Sequence, residues 1–161
     1  MHSLINKLSI LKYDFYSNDP AKVAKNLLGK LLIRRLGDKI LTGRIVETEA
    51  YYGADDPASR AYKGVNKISE LMFGECGRLL VYMVHANNLV NIIVNPLNEV
   101  GAVLIRAIEP IYGLEIMRIN RNLDEDLNLC SGPGKLTKAF GINKEHHGLD
   151  VTKEFSEIIF L

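Results

Sequence analysis

The sequence has no tryptophan, only two cysteines and no hydrophobic run long enough to cross a membrane. Its apolar stretches, such as 79–84, fall far short of the ~20 residues that a membrane-spanning helix requires. The N-terminal segment 1–7 has no charged start, apolar stretch or cleavage site, so no signal peptide is expected. These features predict a cytoplasmic protein in which Cys76 and Cys130 stay reduced.

Signatures of metal sites and serine hydrolases are also missing. The four histidines and two cysteines form no cluster with the spacing of zinc ligands, and no serine lies in a Gly-x-Ser-x-Gly turn. We therefore expect neither a metal centre nor a serine nucleophile.

No charge dominates the chain as a whole. Its 161 residues are 47% hydrophobic and 24% charged with a net charge of +1, which predicts one globular domain over 1–161. Residues 1–44 nevertheless carry nine basic against three acidic side chains, a net charge of +6. The basic run 22–44 is either a solvated surface or a phosphate-facing patch, and composition alone favours the former.

The order of apolar and turn-forming segments predicts an α+β fold, a mostly antiparallel curved β-sheet with surrounding helices. A helix should begin at Pro20 with Asp19 as its cap and end near Gly29. Closely spaced strands favour antiparallel pairing. The remaining expected elements are a hairpin of 30–36 and 39–50, a helical turn at 68–73, strands at 78–85, 89–95 and 101–108 with a turn at 86–88, and helices at 110–120 and 131–140.

Two carboxylates end the second strand of the predicted hairpin. Alternation places Glu47 and Glu49 on one side of the sheet together with Ile45. They are either ordinary solvated glutamates or a functional pair, one bound to an arginine and the other free to act as a base. Because Tyr51 and Tyr52 follow directly in a polar loop, where sites often lie, the functional interpretation gains weight.

An arginine interrupts the apolar strand 102–108. Arg106 either lies on the solvent face of the sheet or is buried and needs a carboxylate partner, for which Glu47, Glu49 and Glu109 are available. We expect Glu49 and Arg106 to approach each other across the sheet, because pairing would explain both polar side chains in apolar strands.

Glycine and lysine precede the last predicted helix. Free N–H groups near Gly134, together with Lys135, suit a phosphate, but the segment lacks the spacing of a nucleotide-binding loop. A plain helix start is therefore favoured over a nucleotide site, and a contact with a nucleic-acid backbone stays open. Tyr51, Tyr52, Tyr62 and Tyr82 can form a stacking surface or simply belong to the core.

These segments together resemble the alkyladenine (3-methyladenine) DNA glycosylase family. The resemblance covers nearly the whole chain, and the blocks GRIVETEAY and LIRAIEP are its specific part. The matching segments are 19–36, GRIVETEAY at 43–51, DPAS at 56–59, 72–74, 81–82, LIRAIEP at 104–110 and CSGPGKL at 130–136.

The resemblance implies a monofunctional, monomeric DNA repair enzyme that needs no cofactor. Such an enzyme flips an alkylated or deaminated purine out of double-stranded DNA and hydrolyses its N-glycosidic bond. Glu49 matches the general base that activates water, and Arg106 matches the arginine that helps to hold it. Tyr51 and Tyr82 match aromatic residues around the flipped base, and Asn91 matches the asparagine that crowds the guanine amino group.

The sequence differs from the family at two contact positions. Arg60 stands where the family has a histidine that contacts the flipped base, and an arginine there would repel a cationic base or turn to a phosphate. His85 stands where the family inserts a tyrosine into the DNA stack. We expect His85, Gly134 and Lys135 to contact DNA, with a nucleoid-associated location in a prokaryote.

The family also has a glycine-containing strand that lines the base pocket after the position of Leu161. The sequence has no match for it, so the domain over 1–161 is expected to lack this closing segment. Without this segment, a weak or inactive DNA-binding member of the family is one alternative. A nucleotide-binding enzyme that uses Gly134 and Lys135 is a second, independent alternative.

Overall fold

A computed structural model of the protein describes residues 9–96 and 98–161. The N-terminal segment 1–7, considered above as a signal peptide, lies outside the described residues. Within the described ranges, every helix is too short or too polar to span a bilayer.

The fold is a curled six-stranded antiparallel sheet with four helices, which confirms the expected α+β class. The strands lie in the order β3-β4-β5-β2-β1-β6. They are β1 Leu31–Leu36, β2 Lys39–Tyr51, β3 Leu79–Val84, β4 Asn87–Ile93, β5 Ala102–Tyr112 and β6 Ile158–Phe160. The helices are α1 Tyr13–Tyr16, α2 Pro20–Leu27, α3 Leu114–Arg121 and α4 Pro133–Ala139, with 3₁₀ turns at Glu70–Phe73 and Lys144–His146.

Helix α2 begins as its sequence predicts. The Asp19 side chain accepts a hydrogen bond from the Lys22 N–H at 3.0 Å, and Pro20 occupies the first helical position. Val23 and Leu27 are fully buried on the side of the helix that packs on the sheet. The helix is therefore stabilised by a cap at its start and by an apolar stripe along its length.

The two faces of the sheet are covered differently. One face packs on the helices and forms the main core, which includes Val81, Ile105 and Phe140. The other face carries a smaller cluster in which Leu80 and Ala102 pack against residues from the segment between β2 and β3. Because strand side chains alternate between faces, one sheet separates the main core from a second, partly open surface.

Two expected boundaries were wrong near β5. The helix expected over 110–120 begins at Leu114, because residues 109–112 continue β5. Pro110 lies opposite Gly43, next to an irregularity in the β2–β5 register, so its missing N–H is tolerated there.

The turn expected at 86–88 was also wrong. His85 and Ala86 form the turn, with φ values of 46° and 62°, and Asn87 already belongs to β4. Two successive left-handed residues are what a tight two-residue hairpin requires, and glycine or asparagine usually supplies them. The sequence His-Ala carries no such signal.

Strand β6 was not expected, and the segment 154–157 that leads into it binds two arginines of the basic run 22–44. Arg34 is buried and forms an ion pair with Glu157 at 2.7 Å. Arg35 donates hydrogen bonds to the carbonyl oxygens of Glu154 and Ser156. Arg44 pairs with Glu109 at 3.3 Å, so three arginines of the run 22–44 have partners within the fold.

The close approach of β2 and β5 leaves no room for a side chain at Gly43. A Cβ atom at this position would overlap Ile108 Cγ2 and lie 3.1 Å from Phe140 Cζ. We expect Gly43→Ala to lower the free energy of unfolding by ~1–3 kcal/mol, the usual cost of overpacking a core. Urea denaturation measures the change.

Gly132→Ala is the matched control. Gly132 has an extended backbone with φ of 174°, and the nearest atom to an added Cβ is Lys135 Cδ at 3.7 Å. Equal stability of the two variants would show that the packing at Gly43 is looser than described.

Candidate functional site

One row of side chains crosses four strands on the second face of the sheet. In the strand register, Leu80 lies opposite Asn91, Asn91 opposite Leu104, and Leu104 opposite Glu49. Directly opposed residues point to the same side of a sheet. The register therefore places Glu49 and Asn91 on one surface, although they are 42 positions apart in the printed sequence.

An irregularity in β2 separates the two glutamates from the core. The β2–β5 register shifts between Ile45 and Glu47 and again between Glu47 and Thr48. Ile45 is buried in the main core, and the Thr48 hydroxyl donates to the Ala24 carbonyl oxygen of α2. The expectation that Ile45 shares a face with Glu47 and Glu49 was wrong, because a bulge adds one residue and reverses the alternation.

Arg106 joins the two glutamates. Its Nε lies 3.2 Å from Glu49 Oε1 and 3.5 Å from Glu47 Oε2. The expected approach of Glu49 and Arg106 is thus confirmed, and the Arg106 side chain is 47% exposed, on the solvent face of the sheet. Glu49 is the less exposed partner, at 37% against 60% for Glu47.

The second oxygen of Glu49 also has a protein donor. The Tyr51 hydroxyl donates a hydrogen bond to Glu49 Oε2 at 2.5 Å. Burial raises the pKa of Tyr51 to about 12, and the hydrogen bond and negative charge of Glu49 add to this effect. The Tyr51 hydroxyl therefore stays protonated at neutral pH and can donate this hydrogen bond. Arg106 and Tyr51 together orient the Glu49 carboxylate, and part of that carboxylate stays accessible to water.

A cavity of about 180 Å³ opens on the same face of the sheet, and Tyr51, the donor to Glu49, is one of its lining residues. It is lined by the predicted base-binding residues Tyr51, Arg60, Tyr82 and Asn91. The rest of its wall is mostly apolar: Ala58, Met72, Leu80, Val84, Leu89, Ala102 and Leu104. A concave apolar site with a few convergent polar groups is the usual form of a small-ligand pocket.

Two of the lining residues are themselves stacked. The Arg60 guanidinium carbon lies 5.2 Å from the centroid of the Tyr82 ring, within the range of a cation–π contact. Asn91 is only 2% exposed, and its Nδ2 donates to the Leu80 carbonyl oxygen at 3.4 Å. The polar groups of the pocket are thus held by their neighbours before any ligand enters.

Sequence reasoning missed the apolar wall. Met72 comes from the 3₁₀ turn, while Leu80, Val84 and Leu89 come from the hairpin of β3 and β4. The alternation Leu80, Tyr82, Val84 was present in the sequence as a signal. It was overlooked because β3 is apolar on both faces.

The remaining predicted contacts lie at the turn between β3 and β4. His85 is exposed at that turn, and α4 packs against the strand that follows it. The Thr137 hydroxyl donates to the Asn88 carbonyl oxygen at 2.7 Å. A Cβ on Gly134 would lie 2.7 Å from the Cβ of Asn87, which gives this glycine a packing role.

Lys135 lies at the surface beside this packed junction. Its Nζ donates to the Ser131 Oγ at 3.1 Å and is otherwise open to solvent. The structure therefore presents His85 and Lys135 from two elements that pack against each other.

The described ranges also contain metal-ligating and thiol side chains. Across the described ranges, no three His, Cys, Asp or Glu side chains are grouped to hold a metal ion. Both cysteines are free and buried, and burial raises the pKa of Cys130 to about 12. A thiol with so high a pKa is a weak nucleophile near neutral pH.

The chain is similar to one family of known proteins. The profile of the methylpurine-DNA glycosylase family matches residues 14–161. The chain is 43% identical over 141 residues to a protein of Chlorobium phaeobacteroides, covering 86% of this chain and 71% of the relative. It is 44% identical over 136 residues to one of Methanoculleus marisnigri, covering 83% and 69%, and 39% identical over 160 residues to one of Koribacter versatilis, covering 97% and 77%. All three relatives carry the provisional name 3-methyladenine DNA glycosylase.

The hydrogen bond between Tyr51 and Glu49 makes a prediction about pH. An ordinary tyrosine with a pKa of 10 is half ionised at pH 10, whereas Tyr51 should remain protonated there. The wild type and Tyr51→Phe should therefore show the same tyrosinate absorbance at pH 10. A clearly smaller signal in the variant would mean that Tyr51 titrates normally and that its hydroxyl is not held by Glu49.

Proposed function

The chain belongs to the methylpurine-DNA glycosylase family, and we propose that it releases alkylated or deaminated purines from double-stranded DNA by monofunctional hydrolysis. The proposal is supported most by the Glu49 carboxylate, which is oriented by Arg106 and by Tyr51, a lining residue of the apolar cavity. An oriented carboxylate that remains accessible to water is what a general base requires.

In the proposed reaction, Glu49 takes a proton from a water molecule. The oxygen of that water forms a bond to C1′ of the sugar, the C1′–N9 bond breaks, and its electron pair leaves with the purine. Arg106 positions the water by fixing the carboxylate, with its Nε 3.2 Å from Glu49 Oε1. An alkylated purine that carries a positive charge is already a good leaving group, so its release requires no metal or organic cofactor.

The cavity is the proposed place of the flipped base. Tyr51 and Tyr82 supply aromatic surface, and an electron-poor purine stacks well on such rings. Asn91 is buried among apolar lining residues, where its amide would crowd a purine that carries a 2-amino group. This arrangement favours damaged purines over guanine.

The proposed DNA surface is the β3–β4 turn with the start of α4. His85 projects from the turn, in position to contact the duplex near the vacated stack. Lys135 and Lys138 are exposed on α4, whose packing against β4 keeps them next to the turn. Contacts of this kind bind phosphates and carry little sequence preference.

The sharpest test replaces the proposed base. Glu49→Gln keeps the shape of the side chain but cannot accept a proton from water, so excision should fall by about 10²–10⁴-fold. Single-turnover release of hypoxanthine from a duplex measures the rate. Thermal melting should change little, because Glu49 is part-exposed and an amide can still accept from Tyr51.

Glu47→Gln is the matched control. Glu47 contacts the same Arg106 nitrogen but is more exposed, and exposed ion pairs contribute only ~0–1 kcal/mol. We expect excision close to that of the wild type. Wild-type excision by Glu49→Gln would exclude Glu49 as the base, and an inactive wild type that still binds DNA would favour the non-catalytic alternative.

The DNA surface is tested by the salt dependence of binding. If Lys135 contacts a phosphate, Lys135→Gln should reduce the slope of log K against log salt by about 1. Lys153→Gln is the control, because Lys153 pairs with Asp150 beside Arg78, at the opposite end of β3 from the His85–Ala86 turn. Equal slopes for the wild type and Lys135→Gln, measured by fluorescence anisotropy, would remove Lys135 from the interface.

A further inference from the structure

We propose that Arg60 makes the pocket selective for neutral purines with acceptor atoms, such as hypoxanthine, over cationic purines such as 3-methyladenine. This inference rests on the proposed function, because it concerns the base that the same cavity would accept. It goes further by naming a residue that separates two chemical classes of damaged base.

The backbone of Arg60 is held in place. The Asn66 side chain donates from Nδ2 to the Arg60 carbonyl oxygen at 2.9 Å. The next residue, Ala61, is 1% exposed and packs with Met72 and Leu80 below the cavity. The guanidinium is therefore presented from an anchored segment, although the side chain itself is exposed.

The guanidinium lies at the pocket without an acidic partner. It stacks on Tyr82 at 5.2 Å and lines the cavity together with Tyr51 and Asn91. Among the ion pairs of the described residues, those near the pocket belong to Arg106, and none involves Arg60. The positive charge of Arg60 is thus not neutralised by direct pairing.

A base that enters the cavity meets this charge. Arginine has N–H donors and no acceptor, and its two-pronged geometry matches the O6 and N7 acceptors on one purine edge. Hypoxanthine presents both acceptors and no positive charge. In 3-methyladenine, an amino donor replaces O6 and the nucleoside carries a positive charge. The Arg60 guanidinium therefore finds no acceptor at the O6 position, and its positive charge repels that of the base.

The Tyr82 ring gives a second reason to expect selectivity for neutral bases over cationic ones. The negative face of an aromatic ring attracts a cation, and Arg60 already occupies one face of Tyr82. A cationic base stacked on Tyr82 would share this ring with a second positive charge at close range. A neutral base can stack there while the guanidinium stays in place.

The test compares two substrates in two variants. Single-turnover rates are measured for hypoxanthine release from a synthetic duplex and for 3-methyladenine release from a methylated duplex, with spontaneous loss subtracted. In Arg60→Gln the ratio of the hypoxanthine rate to the 3-methyladenine rate should fall by about tenfold, the lower end of what one pocket contact contributes to discrimination. Lys63→Gln removes a positive charge from the same segment outside the cavity lining and should leave the ratio unchanged.

Each outcome has a distinct meaning. A wild type that releases neither base overturns the proposed function and this inference together. Release by the wild type with an unchanged ratio in Arg60→Gln overturns the inference alone. An equal fall of both rates, with weaker DNA binding, would show that Arg60 contacts a phosphate and would also overturn it.

Discussion

The site depends on one guanidinium that holds two carboxylates on the open face of a sheet. Arg106 contacts both Glu47 and Glu49, and these three side chains come from the two longest strands. Such a cluster can form only because the bulge in β2 turns Glu47 away from the core, into which Ile45 points. The proposed chemistry therefore depends on this irregular strand register, which places both glutamates on the open face.

The same sheet keeps stability and chemistry apart. The main core lies between the sheet and the helices, so removing a charge on the open face leaves that core intact. On the open face, the segment between β2 and β3 contributes Ala61 and Met72 to a small apolar cluster and places Arg60 over the Tyr82 ring. A pocket built in this way can differ in its specificity from one family member to another without a change of fold, because its polar contacts come from a surface segment.

The sequence was sufficient wherever local chemistry determines the structure. The Asp19 cap, the first hairpin and the approach of Glu49 to Arg106 follow from short-range patterns and from the need to pair charges. The face of Ile45 and the strand β6 could not be predicted, because a bulge and a three-residue edge strand depend on partners far along the chain. The His85–Ala86 turn escaped prediction because its left-handed residues are neither glycine nor asparagine.

Analysis of the reaction products of the wild-type chain tests the central claim most directly. A duplex with one hypoxanthine is incubated with the protein, and the free base and the state of the strand are measured separately. We expect free hypoxanthine in an amount equal to the abasic sites, with a strand that breaks only after alkali treatment, as hydrolysis by water requires. Strand breakage without alkali, or DNA binding with no release of the base, would contradict the proposed activity.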